Sequence, residues 1–181
     1  MSEKQNIFSE RGEALPPDDL RRGLTRVEAD GENRRHIGVV GDTYTILLTG
    51  DETAGRFCLI DMHIPPGGGP PPHRHDFEET FTILEGELEA TFRGSQVVVR
   101  TGETINIPAN APHQFLNSSA KPVRMLCICS PAGQENFFLE VGVPVRTRTT
   151  PAILDQAAQA AFKATAEAVA PKYRTELLRS A

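Results

Sequence analysis

"HRHDFEETFTILEG", residues 73–86, sets two histidines two positions apart and a glutamate four positions after the second, at the head of an apolar, strand-like run. In an extended chain alternate side chains share a face. His73, His75, Glu79, Phe81 and Ile83 then project from one side, Thr80 and Thr82 from the other. The threonine side suits solvent. The other side is apolar except for two imidazoles and one carboxylate gathered at one end, and ionisable groups are costly to bury without compensation. A divalent transition metal would supply it, and nitrogen and oxygen donors of this kind suit iron, manganese, nickel, cobalt, copper or zinc. Asp76 and Glu78 have even parity and point outward on the same count.

The segments around this stretch read as further strands. "YTILLT", "GRFCLIDMHI", "ELEATFRG", "SQVVVR", "ETINIP", "HQFLNSS" and "RMLCICS" are short runs rich in β-formers, separated by turn residues, which predicts an all-β sandwich or small barrel over residues 36–145. Leu88, Ala90 and Phe92 share one face of "GELEATF", as a half-buried antiparallel strand requires. "PPGGGPPP", residues 65–72, predicts a stiff loop that takes no central place in a sheet.

The two ends differ from this body. Residues 1–35 are charged and broken by "PPDD" and "ADGENRR", which predicts a partly ordered arm with one short helix. Residues 146–181 predict a helical extension: Thr150 and Pro151 suit a cap and first helical position, Leu154, Ala158, Phe162, Thr165 and Val169 form a stripe, and Pro171 should break it. That stripe is expected to lie on the outside of the barrel or on a partner subunit.

The chain of 181 residues is long enough to bury a core without staples. Cys58, Cys127 and Cys129 lack zinc-finger or C-x-x-C spacing and read as reduced core residues, the last two on one face of a strand. A formal net charge of −5 offers no basic patch for nucleic acid or an anionic membrane, so a small-molecule substrate is the expected partner. Charges occupy the N-terminus where a signal peptide needs an apolar run, and no stretch is long and apolar enough to span a bilayer. A cytoplasmic protein is expected.

A fourth metal ligand is offered by "GETINIPANAPHQFLN", where His113 follows Pro112 at a strand start. Together the two stretches resemble the cupin family. Its first motif, G-x5-H-x-H, three or four residues, E, six residues, G, is met by Gly67, His73, His75, Glu79 and Gly86. Its second, G-x5-P-x-G-x2-H-x3-N, is met by Gly102, Pro108, His113 and Asn117, with Asn110 in the glycine position. Asparagine tolerates left-handed backbone, which keeps the turn. The resemblance implies a jelly-roll barrel with one metal held by His73, His75, Glu79 and His113; His36 and His63 fall outside both motifs.

"GDTYTILLTGDETAGRF", "TILEGE" and "SPAGQENFF" are similar to single-domain cupins related to quercetin 2,3-dioxygenases, which implies a dioxygenase-like enzyme with Glu79 as ligand and base. Relatives of that type usually place four residues between the second histidine and the glutamate, whereas three stand here, so the substrate is expected to differ. Phe81, Ile83, Leu88, Phe92 and Phe115 are the candidate substrate contacts, and they favour an apolar or aromatic enol or phenol. The alternatives are a metal-dependent lyase, isomerase or hydrolase that uses no oxygen, and a cupin that binds a small molecule without turnover. Cupins commonly pair, and a homodimer is expected.

Overall fold

The computed structural model describes residues 15–31, 33–153 and 155–178. Two antiparallel sheets face each other across one core. The first has seven strands: β1 (His36–Val39), β2 (Asp42–Leu48), β3 (Cys58–Ile64), β5 (Glu78–Glu85), β8 (Thr104–Ile107), β10 (Val123–Ser130) and β11 (Val143–Val145). Their spatial order is β11-β1-β2-β3-β10-β5-β8. The second, in the order β12-β4-β9-β6-β7, holds β4 (His73–His75), β6 (Glu87–Phe92), β7 (Ser95–Arg100), β9 (His113–Leu116) and β12 (Thr175–Leu177). The strand pattern predicts an all-β sandwich or small barrel, and the architecture is the jelly roll that the family resemblance implies.

Period-two burial builds the core. Glu79, Phe81 and Ile83 of β5 are buried and their neighbours are not, and β10 repeats the pattern with Val123, Met125, Cys127 and Cys129. Cys58, Ile60, Met62 and Ile64 face them from β3. The turns follow the sequence signals as well. Gly86 has φ of 84°, and a Cβ there would sit 3.0 Å from the Pro122 carbonyl oxygen, so only glycine fits the β5 to β6 turn.

The ends depart from the sequence-based expectations. Residues 15–31 and 33–35 contain turns and no helix, and the rest of the arm, residues 1–14, lies outside the described residues. A short helix α1 (Gln134–Val141) follows β10 where the sequence suggested a continued strand region. The C-terminal helix α2 (Gln156–Val169) starts six residues later than Thr150, because Asp155 accepts a hydrogen bond from Ala158 N at 2.8 Å and caps it. Its inner side keeps most of the expected stripe, with Ala158, Phe162 and Val169 half-buried, but Ala166 is buried in the place expected of Thr165, which is exposed, while Leu154 lies outside the described residues. Pro171 ends the helix as expected, by opening a 3-10 turn (Ala170–Tyr173). That turn packs on α1, with Tyr173 edge-on to Phe137, and the chain then adds β12 to the free side of β4.

One core residue carries an electrostatic cost. Asp42 of β2 is 2% exposed; its Oδ2 accepts from the Tyr44 hydroxyl at 3.2 Å, and its Oδ1 has no partner. Burial pushes its pKa up to about 7, against the opposing effect of hydrogen bonds from Tyr44 and the Gly69 backbone. The unfolded chain releases this proton near pH ~4, so between there and about pH 7 the folded state holds a proton that the unfolded state has lost. Stability therefore falls as pH rises through that window, by on the order of 4 kcal/mol for this group. Thermal unfolding of wild type and Asp42→Asn should show the variant gaining progressively between about pH 4.5 and about pH 8; parallel profiles would show that Asp42 ionises freely.

Candidate metal centre

The chain changes sheets immediately after the two histidines. β4 ends at His75 in the five-stranded sheet and β5 begins at Glu78 in the seven-stranded one. Phe77 is buried in the crossing, and its ring stacks on the His75 imidazole at 3.8 Å between centroids. Side-chain parity survives the break, so His73 and His75 look across the interior at Glu79. β9 delivers the fourth group: His113 is the direct neighbour of His73 in the β4 to β9 pairing. The ligand atoms of His73, His75, Glu79 and His113 all lie within 4.8 Å of one another, and none of the four residues is more than 8% exposed.

Two turns hold this arrangement. Asn110, in the glycine position of the second motif, has φ of 67° and donates its backbone N–H to the His75 carbonyl at 2.7 Å, which ties the approach to β9 onto β4. Asn117 is fully buried and donates Nδ2 to the Ile64 and Lys121 carbonyls at 2.9 and 2.8 Å, fixing the far end of β9 to β3. β12 covers the outer edge of β4, pairing Thr175 with His75 and Leu177 with His73.

The three imidazoles are oriented alike. Each donates Nδ1–H to a backbone carbonyl two residues away: His73 to Pro71 at 2.9 Å, His75 to Phe77 at 3.0 Å and His113 to Ala111 at 2.9 Å. A carbonyl can only accept, so Nδ1 carries the proton and every Nε2 is left to the interior. Such backbone support is how metal-ligating histidines have their tautomer and ring plane set. His73 keeps a free Nε2 lone pair at neutral pH, since burial and then the neighbouring His113 push its pKa down to about 4.

Glu79 has two distinct sides. Its Oε2 lies 3.0 Å from His75 Nε2 and 3.1 Å from His113 Nε2, while Oε1 faces the thiols of Cys127 at 3.4 Å and Cys129 at 3.8 Å. Burial alone would raise the carboxyl pKa, but the hydrogen bonds and charges of His113 and His75 outweigh it and hold the group well below the usual carboxylate range. His113 shows the counterpart: burial would lower its pKa, and Glu79 raises it instead. A carboxylate only accepts, so protons on Nε2 bridge these groups where a cation would otherwise stand. Three imidazole nitrogens and one carboxylate oxygen, aimed at one point, fit a divalent transition metal with positions left for exogenous ligands.

The remaining sequence candidates lie elsewhere. Phe81, Ile83, Leu88 and Phe115 are buried members of the packed core, with Phe81 edge-on to Phe115, and Phe92 is half-buried under the Arg93 guanidinium. Glu78 is exposed and accepts from Asn106 and the Ala109 backbone; His36 bonds Thr45 on the far side of β2, and His63 sits half-buried on β3. A cavity of about 220 Å³ is lined by His75 with Arg74, Asp76, Asn110, Arg174 and Glu176, so a polar recess borders the ligand set. The contact of Cys127 and Cys129 with Glu79 is the feature that sequence reading missed. Parity puts both thiols inward, but only the β5 to β10 register, Glu79 opposite Cys129, sets them against the carboxylate.

The chain is thus a double-sheet jelly roll with a buried three-histidine, one-glutamate cluster that could hold a metal ion. Residues 60–129 match the Cupin domain family, and that part of the chain is a cupin domain. Over 109 residues the chain is 29% identical to quercetin 2,3-dioxygenase from Bacillus subtilis (strain 168), covering 54% of this chain and 32% of that one. It is 34% identical over 84 residues to Auxin-binding protein 1 from Arabidopsis thaliana, 41% of this chain and 42% of that one. The chain thus spans less than half the length of either curated relative. Among solved structures, the polyketide cyclase RemF from Streptomyces resistomycificus is similar, with a TM-score of 0.53 and 25% identity over 74% of this chain and 89% of that one. No helix of the described residues is long and apolar enough to cross a membrane.

Elemental analysis of protein purified without chelator should find at least one transition-metal ion per chain, and His75→Ala and His113→Ala should each lose about one equivalent while unfolding cooperatively. Equal metal content in folded His113→Ala and wild type would remove His113 from the ligand set.

Proposed function

We propose that this protein is a metal-dependent, dioxygenase-like enzyme acting on a small apolar or aromatic enol or phenol, with His73, His75, Glu79 and His113 holding the metal. The observation that carries the reading is the shared orientation of the three imidazoles, each fixed through Nδ1–H, with the Nε2 atoms of His75 and His113 on Glu79 Oε2 and the ligand atoms of all four residues within 4.8 Å of one another. The likeness to quercetin 2,3-dioxygenase supports the oxygenase part, although it covers 32% of that relative.

When bound, a divalent ion supplies Lewis acidity toward a ligated hydroxyl and, if redox-active, a route for electrons to dioxygen. The chain's own residues do the rest. Phe77 and the apolar layer of Phe81 and Phe115 keep water from one side of the cluster. Glu79 is a weak base while two imidazole N–H groups bond its Oε2, and it regains basicity once those Nε2 atoms are engaged elsewhere. Glu79 is then the carboxylate at the cluster that would serve as ligand and take the hydroxyl proton of the substrate.

A second reading has its own support. The similarity to the polyketide cyclase RemF extends over 74% of this chain and favours Lewis-acid chemistry on a related aromatic or polyketone substrate without oxygen. The two part in one assay. Metal-loaded protein screened against flavonols, catechols and β-diketones should consume dioxygen in step with substrate, and Glu79→Gln should lower that rate by about 10²-fold or more. Turnover that is unchanged under anaerobic conditions would replace the oxygenase with the cyclase-type reading, and saturable binding without turnover would leave a ligand-binding cupin.

A further inference from the structure

Three cysteines are free and buried, and two of them, Cys127 and Cys129, lie against Glu79 Oε1, the oxygen not bonded to the imidazoles. Cys127 and Cys129 project from β10, their sulfurs 3.6 Å apart, and Cys58 on β3 lies directly opposite Cys129 in the strand pairing. With Glu79 Oε1 at 3.4 Å from one sulfur and 3.8 Å from the other, the three atoms form a nearly equilateral triangle. Zinc–sulfur bonds of about 2.3 Å and zinc–oxygen bonds of about 2.0–2.2 Å make the edges of a tetrahedral face about 3.8 Å between sulfurs and about 3.6 Å from sulfur to oxygen. The triangle therefore has the dimensions of one coordination face before any ion arrives.

We propose that Cys127, Cys129 and Glu79 Oε1 form a second metal site, selective for a thiophilic ion such as Zn²⁺ or Cu⁺. Thiolates prefer these softer ions, whereas the imidazole set accepts the wider range of divalent metals, so the two sides of one carboxylate sort metals by ligand chemistry. Glu79 belongs to both: Oε2 to the imidazoles and Oε1 to the thiols. Binding forms one metal–sulfur bond for each S–H bond broken, each proton leaving to solvent, so no oxidant or reductant is needed. The inference stands whether or not the imidazole site is an oxygenase.

Cd²⁺ serves as the probe, because its thiolate bonds give a near-ultraviolet charge-transfer band that its imidazole and carboxylate bonds do not. Reduced wild-type protein titrated anaerobically with CdCl₂ should develop that band to saturation. The band should persist in His73→Ala/His113→Ala and vanish in Cys127→Ser/Cys129→Ser, each checked for cooperative unfolding. No band in folded wild type, a band that survives the double serine variant, or its loss in the double alanine variant overturns the proposal. Should the serine variant fail to fold, cadmium NMR of wild type decides: a shift in the sulfur-ligand range supports the site, and a shift in the nitrogen and oxygen range alone refutes it.

Discussion

Four ionisable side chains buried at one end of an apolar barrel are the constraint on which the rest of this structure depends. Each would forfeit several kcal/mol of hydration if left without a partner. The fold meets that cost by geometry: the chain passes from one sheet to the other between His75 and Glu78, so the imidazoles and the carboxylate approach from opposite walls. Backbone carbonyls of Pro71, Phe77 and Ala111 take the outer ring nitrogens, and Glu79 takes the inner ones of His75 and His113. What remains for a cation is a point already surrounded by oriented donors, which is the preorganisation that a metal site requires.

The elements outside the barrel serve the same end. β4 is only three residues long and carries two of the ligands, and it is held on one edge by β9 and on the other by β12. β12 is delivered by α2 and the 3-10 turn, which are anchored to α1 through Tyr173 against Phe137 and an ion pair of Lys172 with Glu140 at 2.6 Å. The C-terminal extension thus links the far side of the barrel to the strand that bears His73 and His75.

Much of this was legible in the sequence because one rule, alternation, governs both core and site. Odd parity placed His73, His75, Glu79, Phe81 and Ile83 inward, and it holds through the crossing because Phe77 is inward too. Asn110 could replace glycine for the reason the backbone shows, a left-handed φ that asparagine tolerates. What could not be read came from tertiary contacts. α1 begins after Gly133, whose φ is 140°, with no side-chain cap to announce it. β12 is a strand only because β4 offers it an edge, and the α2 boundary went to Asp155 because Thr150 gives its carbonyl to Thr43 instead. Likewise the thiols of Cys127 and Cys129 carry no motif, and their contact with Glu79 exists only in the pairing of β5 with β10.

The central claim is that the three Nε2 atoms and Glu79 Oε2 surround a single cation. The most direct measurement is a crystal structure of metal-loaded protein with anomalous diffraction collected on both sides of the metal's absorption edge. One peak about 2.0–2.3 Å from the Nε2 atoms of His73, His75 and His113 and from Glu79 Oε2 is the result the account predicts. Imidazole to carboxylate hydrogen bonds still closed in the loaded crystals, with the anomalous peak elsewhere on the molecule, would contradict it.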